Sequence, residues 1–366
     1  MRIALIHDFL IKIGGAEKVL LALSRLYPNA PICTLFYDRR LDCYFNDREI
    51  RVSSLQKSYE RIRSSRLLLM RMAQAVSEFD LSDYDLVISS SHSFAKGVRV
   101  PEKTVHLSYC HSPTRWLWDS YHDYVGRLSL PNFALFYLKR YLSNLRLWDF
   151  EEAQSVDYFI ANSEHVARRI KKFYRREAEI IYPPVEVERI KPKRSHQDYF
   201  LVVSRLSPYK NVKIAVELFS NRGLPLKVIG EGEEEKMLKG LAGPTVELLG
   251  FVSEEEKIHY LENARAVIFP VEDDFGIVPV EAMAAGKPVI ALKGGGAMET
   301  IIPGVTGVFF REPSVASLEE GLEEFLKIEK DFNFRKIRQN AERFSERVFN
   351  EKMKRFINQC QMAKSK

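Results

Sequence analysis

Two rhythms of apolar and polar residues alternate along the chain. Short apolar runs rich in β-branched residues, "RIALIH", "DLVISSS", "TVHLSYCH" and "DYFIANS", are separated by stretches whose apolar residues return every three or four positions. The alternation resumes with "YFLVVSRL", "LKVIGEG", "VELLGFV", "AVIFPVE" and "PVIALKGG". Runs of the first kind predict strands and stretches of the second predict helices, so the whole reads as parallel sheets with crossover helices, an α/β chain. Between the two groups lies "IYPPVEVERIKPKRSHQ", where Pro183, Pro184 and Pro192 interrupt both rhythms and Lys and Arg gather. That stretch is the expected linker, giving domains at 1–184 and 185–344. The last segment, 345–366, places Val348, Phe349, Met353, Phe356, Ile357 and Cys360 on one helical face behind a Ser345 cap, a face that must be buried somewhere.

Composition supports two domains and little more. With 366 residues, 46% hydrophobic and 28% charged, the chain is longer than one core usually organises. A net charge of +6 is too mild to call for nucleic acid, so none is expected as a partner. Cys33, Cys43, Cys110 and Cys360 form no C-x-x-C pair, which argues against a zinc site and a disulfide framework and fits a reducing cytoplasm. The opening "MRIALIHDFL" starts a strand at once, with no separate apolar targeting segment, and no apolar run approaches membrane-spanning length. A soluble or peripheral protein is expected.

The chemistry concentrates in "VEDDFGIVPVEAMAAGKPVIALKGGGAMETI", Val271 to Ile301. Buried acids are rare unless paired, so carboxylates beside bare backbone point to a binding site. "AVIFP" reads as a strand and "VEDDFGI" as a turn. Pro279 suits a first helical turn and brings Glu281 into it, where a carboxylate could accept hydrogen bonds from a sugar diol. The N–H groups at that helix start suit a phosphate. Gly294, Gly295 and Gly296 then lead into "AMETII", a second helix start of the same kind. In "VSRLSPYKN", Arg205 follows a strand and Lys210 opens the next helix, two cations that could neutralise a leaving diphosphate. In the first group of strands, His7 and Asp8 end a strand, Gly14 and Gly15 precede a helix, and "YCHSPTRWLWDSY" puts His111 at another strand's carboxyl end. Each also has a plainer reading: turns, polar strand ends, solvated cations and a satisfied structural histidine. Asp83 and Asp85 of "DYD" lie ahead of their strand, at its other end, and read as structural; no His or Cys cluster has metal spacing. Two basic stretches remain, "ARRIKKFYRREAE" and "KSYERIRSSRLLLMRMA". The second interleaves Arg61, Arg63, Arg66 and Arg71 with Leu67 to Met70, which suits an anionic lipid surface as well as a solvated helix face.

Over nearly its whole length the chain resembles the family-four glycosyltransferases, retaining enzymes of GT-B fold that use nucleotide-sugar donors. The resemblance is carried by "GGAEKVL", "FDLSDYDLVISSSHSFAKGV", "SYCHSPTRWLWD", "ANSEHVARRI", "IYPPVE", "VSRLSPYKN", "VIGEGEE", "DFGIVPVEAMAAGKPVIA" and "GGGAMETI", in that order. "YCHSPTRWLWD" is most similar to mannosyltransferases of lipopolysaccharide and lipid-linked glycan synthesis, whose usual donor is GDP-mannose. The resemblance implies two Rossmann-like doubly wound domains facing across a cleft, the first on the acceptor side and the second holding the donor, with the last helix returning to the first domain. It implies that Arg205 and Lys210 bind the diphosphate, Glu281 the ribose, and the backbone of Phe275, Gly276 and Ile277 the transferred sugar, with His111 touching that sugar from the first domain. Gly14, Gly15, Gly295 and Gly296 join the donor-binding set. The family spaces two glutamates eight positions apart, yet eight before Glu281 stands Asp273, so either the backbone draws closer, Glu272 substitutes, or the sugar contact weakens. The implied activity is metal-independent transfer of a hexose, mannose being expected, to a glycan or glycolipid acceptor at the cytoplasmic face of the plasma membrane, with no cofactor. A GT-B sugar-nucleotide epimerase and a catalytically silent subunit of a glycan assembly complex are the rival readings.

Overall fold

A computed structural model describes residues 1–45, 47–126 and 130–364, the side chains of Arg66 and Asp123 excepted. The chain divides into two units, Met1–Tyr182 with Phe349–Lys366, and Pro183–Val348.

Unit 1 is built on seven parallel strands: β1 (Ile3–His7), β2 (Ile32–Thr34), β3 (Ile50–Val52), β4 (Leu86–Ser91), β5 (Val105–Cys110), β6 (Tyr158–Ala161) and β7 (Ala178–Ile180), in the order β3-β2-β1-β4-β5-β6-β7. β4 and β5 are buried at every position, which is why they read as uninterrupted runs. On these buried strands Ser89 Oγ meets His106 Nε2 of the neighbouring strand at 3.0 Å. The helix Gly15–Leu26 covers one face with Val19, Leu20 and Leu23, and the final helix Glu346–Lys364 lies in the same core through Phe349, Met353, Ile357 and Cys360. Phe349 meets Tyr109 edge-on at 6.0 Å, and Lys364 Nζ donates to Thr104 O and Asp157. The Ser345 hydroxyl accepts from Val348 N at 3.4 Å at the start of that helix.

Unit 2 is a six-stranded parallel sheet: β8 (Phe200–Val203), β9 (Leu226–Ile229), β10 (Val246–Gly250), β11 (Ala266–Phe269), β12 (Val289–Leu292) and β13 (Gly307–Phe310), ordered β10-β9-β8-β11-β12-β13. Its core joins Phe200, Phe219, Phe310 and Phe325 to aliphatic residues of the strands and of the helices Val212–Arg222 and Val315–Ile328.

The units divide after Tyr182, inside the stretch read as a linker, and the chain beyond that point is packed rather than free. Val185 N donates to Phe344 O, Val187 and Ile190 are buried, and the Arg338 guanidinium binds the carbonyls of both and of Ala284, so the prolines sit in a segment packed on unit 2. The helix after Gly296 is a single turn, Ala297–Thr300, ended by an extended Ile301.

Candidate functional site

In unit 2 the chain leaves β8 for β9 on one side of the sheet and reaches β11 and β12 on the other, so the strand order reverses between β8 and β11. Open parallel sheets bind ligands outside the carboxyl ends of strands at such a point. Lys210, at the end of the 3-10 turn Pro208–Lys210 that follows β8, donates from Nζ to Asp273 Oδ2 of the loop after β11 at 2.8 Å. Asn211, held at φ +53°, ties the same two loops by donating to Pro270 O at 3.1 Å. Lys210 thus stands two residues ahead of the helix Val212–Arg222 rather than opening it, because Asn211 intervenes in the left-handed region. Arg205 is exposed.

Glycines let these loops touch backbone to backbone. Gly296 N donates to Asp273 O at 2.9 Å, and a Cβ there would lie 2.3 Å from Phe275 Cα; a Cβ on Gly295 would lie 2.2 Å from Asp273 O. The loop after β9 does the same against the loop after β8, where a Cβ on Gly230 or Gly232 would strike the Ser204 or Leu206 carbonyl. Gly230 and Gly232 were not among the expected site residues, although "GEG" after a strand is a legible signal for close backbone approach. Phe275 is buried against Phe344, and Gly276, at φ +83°, turns the chain into the helix Ile277–Ala284. The N–H groups of that first turn have no partner within the helix and carry its positive end.

Glu281 departs from expectation. The helix begins at Ile277, so Pro279 is its third residue and Glu281 its fifth, beyond the first turn. The carboxylate is buried and paired, 2.9 Å from Lys257 Nζ of the helix Glu254–Asn263, and that ammonium also lies 2.8 Å from Glu254. A lysine is the partner a buried carboxylate needs. Nothing in "SEEEKIHY", which reads as a solvated acidic helix start, singled out Lys257.

In unit 1 the strand order reverses between β1 and β4, and polar groups converge there too. Asp8, fully buried after β1, accepts from the backbone N–H groups of His92, Ser93, Phe94 and Ala95, and lies 2.8 Å from His92 Nδ1. Burial alone would raise its carboxyl. The adjacent His92 charge and these hydrogen bonds outweigh that and hold it well below the usual carboxylate range. His7 Nδ1 is 3.1 Å from Ser90 Oγ, Ser90 Oγ is 2.8 Å from His111 Nε2, and His7 Nε2 is 3.4 Å from Glu17 Oε1. Glu17 Oε2 accepts from Gly14 N at 2.8 Å, so one buried chain of contacts joins the Gly14 and Gly15 turn to His111. Burial pushes His111 down to about 3, with His7 and His92 adding to the shift, and keeps the ring neutral. Asp149 fixes the loop behind His111: its buried carboxylate accepts from Lys96 Nζ, Thr114 Oγ1, Trp118 Nε1 and Tyr174 OH. His111 and the glycines are singled out by the sequence; Ser90, Glu17 and Asp149, which the fold brings beside them, are not. Asp85 accepts from Arg2 N at 2.7 Å ahead of β4, and the described residues contain no group of three or more His, Cys, Asp or Glu placed to hold a metal ion.

Two doubly wound parallel-sheet units, each with polar groups gathered where its strand order reverses, are the architecture of GT-B glycosyltransferases. Residues 13–189 match the model of Glycosyltransferase Family 4 and residues 186–346 that of Glycosyl transferases group 1, and the chain belongs to these glycosyltransferases. It is similar to the mouse alpha-1,3/1,6-mannosyltransferase ALG2, 27% identical over 371 residues that cover 86% of this chain and 85% of the relative. Solved structures with the same fold include HepE of Anabaena in complex with UDP (TM-score 0.72, 19% identity, covering 98% of this chain and 100% of that one). Sucrose-phosphate synthase of Thermosynechococcus elongatus is another (TM-score 0.75, 14% identity, covering 99% and 100%).

Proposed function

We propose that this glycosyltransferase moves mannose from GDP-mannose, with retention of configuration, to a glycan or lipid-linked acceptor at a membrane face. The observation that carries the reading is the likeness to an alpha-1,3/1,6-mannosyltransferase along most of both chains, combined with a Lys210 and Asp273 pair at the switch point of unit 2.

In this reading the bond between the sugar's anomeric carbon and the diphosphate oxygen breaks. A bond to the acceptor oxygen forms on the same face, and the acceptor's proton passes to the departing phosphate. The negative charge that develops is met by Arg205, by Lys210 and by the N–H groups at the start of Ile277–Ala284, with Lys210 and the helix start held in place before the reaction begins. Asp273 holds Lys210 and presents a carboxylate to the sugar. Glu281, with its charge balanced by Lys257, takes the ribose diol, while Gly295 and Gly296 keep the neighbouring turn close. In unit 1 the neutral His111 and the Gly14 and Gly15 turn stand at that unit's own switch point. The reading needs no metal and no cofactor. Among the described residues no helix is long and apolar enough to cross a membrane.

Thermal-shift titration against a panel of GDP-, UDP- and ADP-sugars tests the donor. A ligand at 100 times its dissociation constant adds about 2.7 kcal/mol, so GDP-mannose should raise the melting temperature more than UDP-glucose does. Stabilisation by UDP-sugars alone would replace the donor, and stabilisation by none would remove the reading. Turnover should be unchanged by EDTA.

A further inference from the structure

The segments 57–76 and 130–148 are far apart in sequence, yet in unit 1 they meet. Leu68, Leu69 and Met72 share a core cluster with Leu135, Leu138 and Tyr141, and Tyr141 OH donates to Leu69 O at 3.1 Å. On the helix Asn132–Ser155, Leu142, Leu145, Asp149 and Ala153 form the buried stripe. Phe133, Phe136, Tyr137 and Arg140 lie on the opposite face. There Phe133, Phe136 and Tyr137, together with Leu67 and Met70 of the first segment, are each between 64% and 73% exposed. Five large apolar side chains bared on two adjoining segments are more than the scattered singles of an ordinary surface. The charge around them has one sign. Over 57–76 and 130–148 the sequence holds eight Lys and Arg and a single acid, Glu60. Lys57, Arg61, Arg63, Arg71, Lys139 and Arg140 are exposed.

We propose that this ridge docks unit 1 on an anionic lipid bilayer, with Leu67, Met70, Phe133, Phe136 and Tyr137 entering the headgroup region and the six cations meeting lipid phosphates. Exposed apolar groups with surrounding Lys and Arg are the two attractions that hold a peripheral protein at an interface, and neither alone is strong. A protein partner would have to be acidic and apolar at once, whereas an anionic bilayer offers both properties at every point. Sequence pattern alone pointed only to the first segment. The aromatic half of the ridge sits on a helix whose apolar residues run all round, so its outward face shows only in the structure. The inference rests on the lipid-borne acceptor of the reading above and makes no use of the donor site.

The full chain is sedimented with vesicles of phosphatidylcholine alone or mixed with phosphatidylglycerol, without donor, at low and raised salt. Retention should require the anionic lipid and fall as salt rises. Joint replacement Arg61→Gln, Arg71→Gln and Arg140→Gln should weaken partition on the order of a hundredfold. Phe133→Ser with Phe136→Ser should weaken it by roughly tenfold or more. Both variants should keep the parent's affinity for nucleotide sugar, which separates loss of docking from loss of fold. The proposal is overturned if neutral vesicles retain the chain equally, if both variants sediment like the parent, or if light scattering shows a dimer that Phe133→Ser with Phe136→Ser dissolves, which would give the ridge to a second copy.

Discussion

The two acids of the 271–301 segment are paired with different lysines, and their substitutions should separate. Glu281 is buried with Lys257, so Glu281→Gln should weaken the donor and free GDP alike, since both carry the ribose, by about tenfold or more for one hydrogen bond to a charged group. Asp273 neutralises Lys210, so Asp273→Asn should leave GDP affinity equal or tighter while lowering turnover of the intact donor. Isothermal titration with GDP and steady-state assays with donor check both. Loss of GDP affinity in Asp273→Asn would contradict the pairing, and damage from Glu272→Ala with a silent Asp273→Asn would move the sugar contact one residue. Lys210→Ala and Arg205→Ala should each lower turnover by about two to three orders of magnitude. A second expectation concerns acid. Burial pushes His106 to about 4 and His111 to about 3, so between pH 6.5 and those values the unfolded chain binds protons that the folded chain refuses. Stability should therefore fall as pH drops from 7 to 5, by about 2 kcal/mol for each ring, and His106→Gln should flatten the decline seen in denaturant titrations. Residue types at strand ends were readable from the sequence. Their partners were not: His7 and Ser90 are 83 positions apart, and only the parallel pairing of β1 with β4 brings them together.

At the scale of elements, the long buried strands announced themselves, whereas "ICT", "IRV" and "AEI", three residues each and outlying in the unit 1 sheet, and "GVFF", at the edge of unit 2, carry too short a pattern to separate from loop. Pro279 does lie in the first turn of Ile277–Ala284, but Gly276 at positive φ starts the helix early enough to leave Glu281 beyond that turn. The final helix was legible as amphipathic, and the structure shows what it covers. Met353 is fully buried in the unit 1 core, so Met353→Ala should cost about 2–5 kcal/mol of stability, measured by urea unfolding. A cost under about 0.5 kcal/mol would mean that the helix does not stay docked. Gly296→Ala tests the loop packing: with Phe275 Cα only 2.3 Å from the added carbon, the turn must shift, and GDP affinity should fall with little change in the strength of unit 1.

For the whole molecule, both sheets put their polar groups where strand order reverses, and two family models together span residues 13–346. Mild net charge and the lack of a local metal signal were readable from composition and spacing, but the donor's base and the acceptor are set by pocket shape that no short motif encodes. The account rests on one reaction. Purified chain is incubated with GDP-mannose and a vesicle-borne, lipid-diphosphate-linked glycan, and the product is read by mass and by the NMR of its new anomeric centre. The account predicts one added hexose in α linkage, matching the α configuration of the donor, with one GDP released per sugar transferred. A β-linked product, or none from GDP-mannose while another nucleotide sugar is consumed, would contradict it.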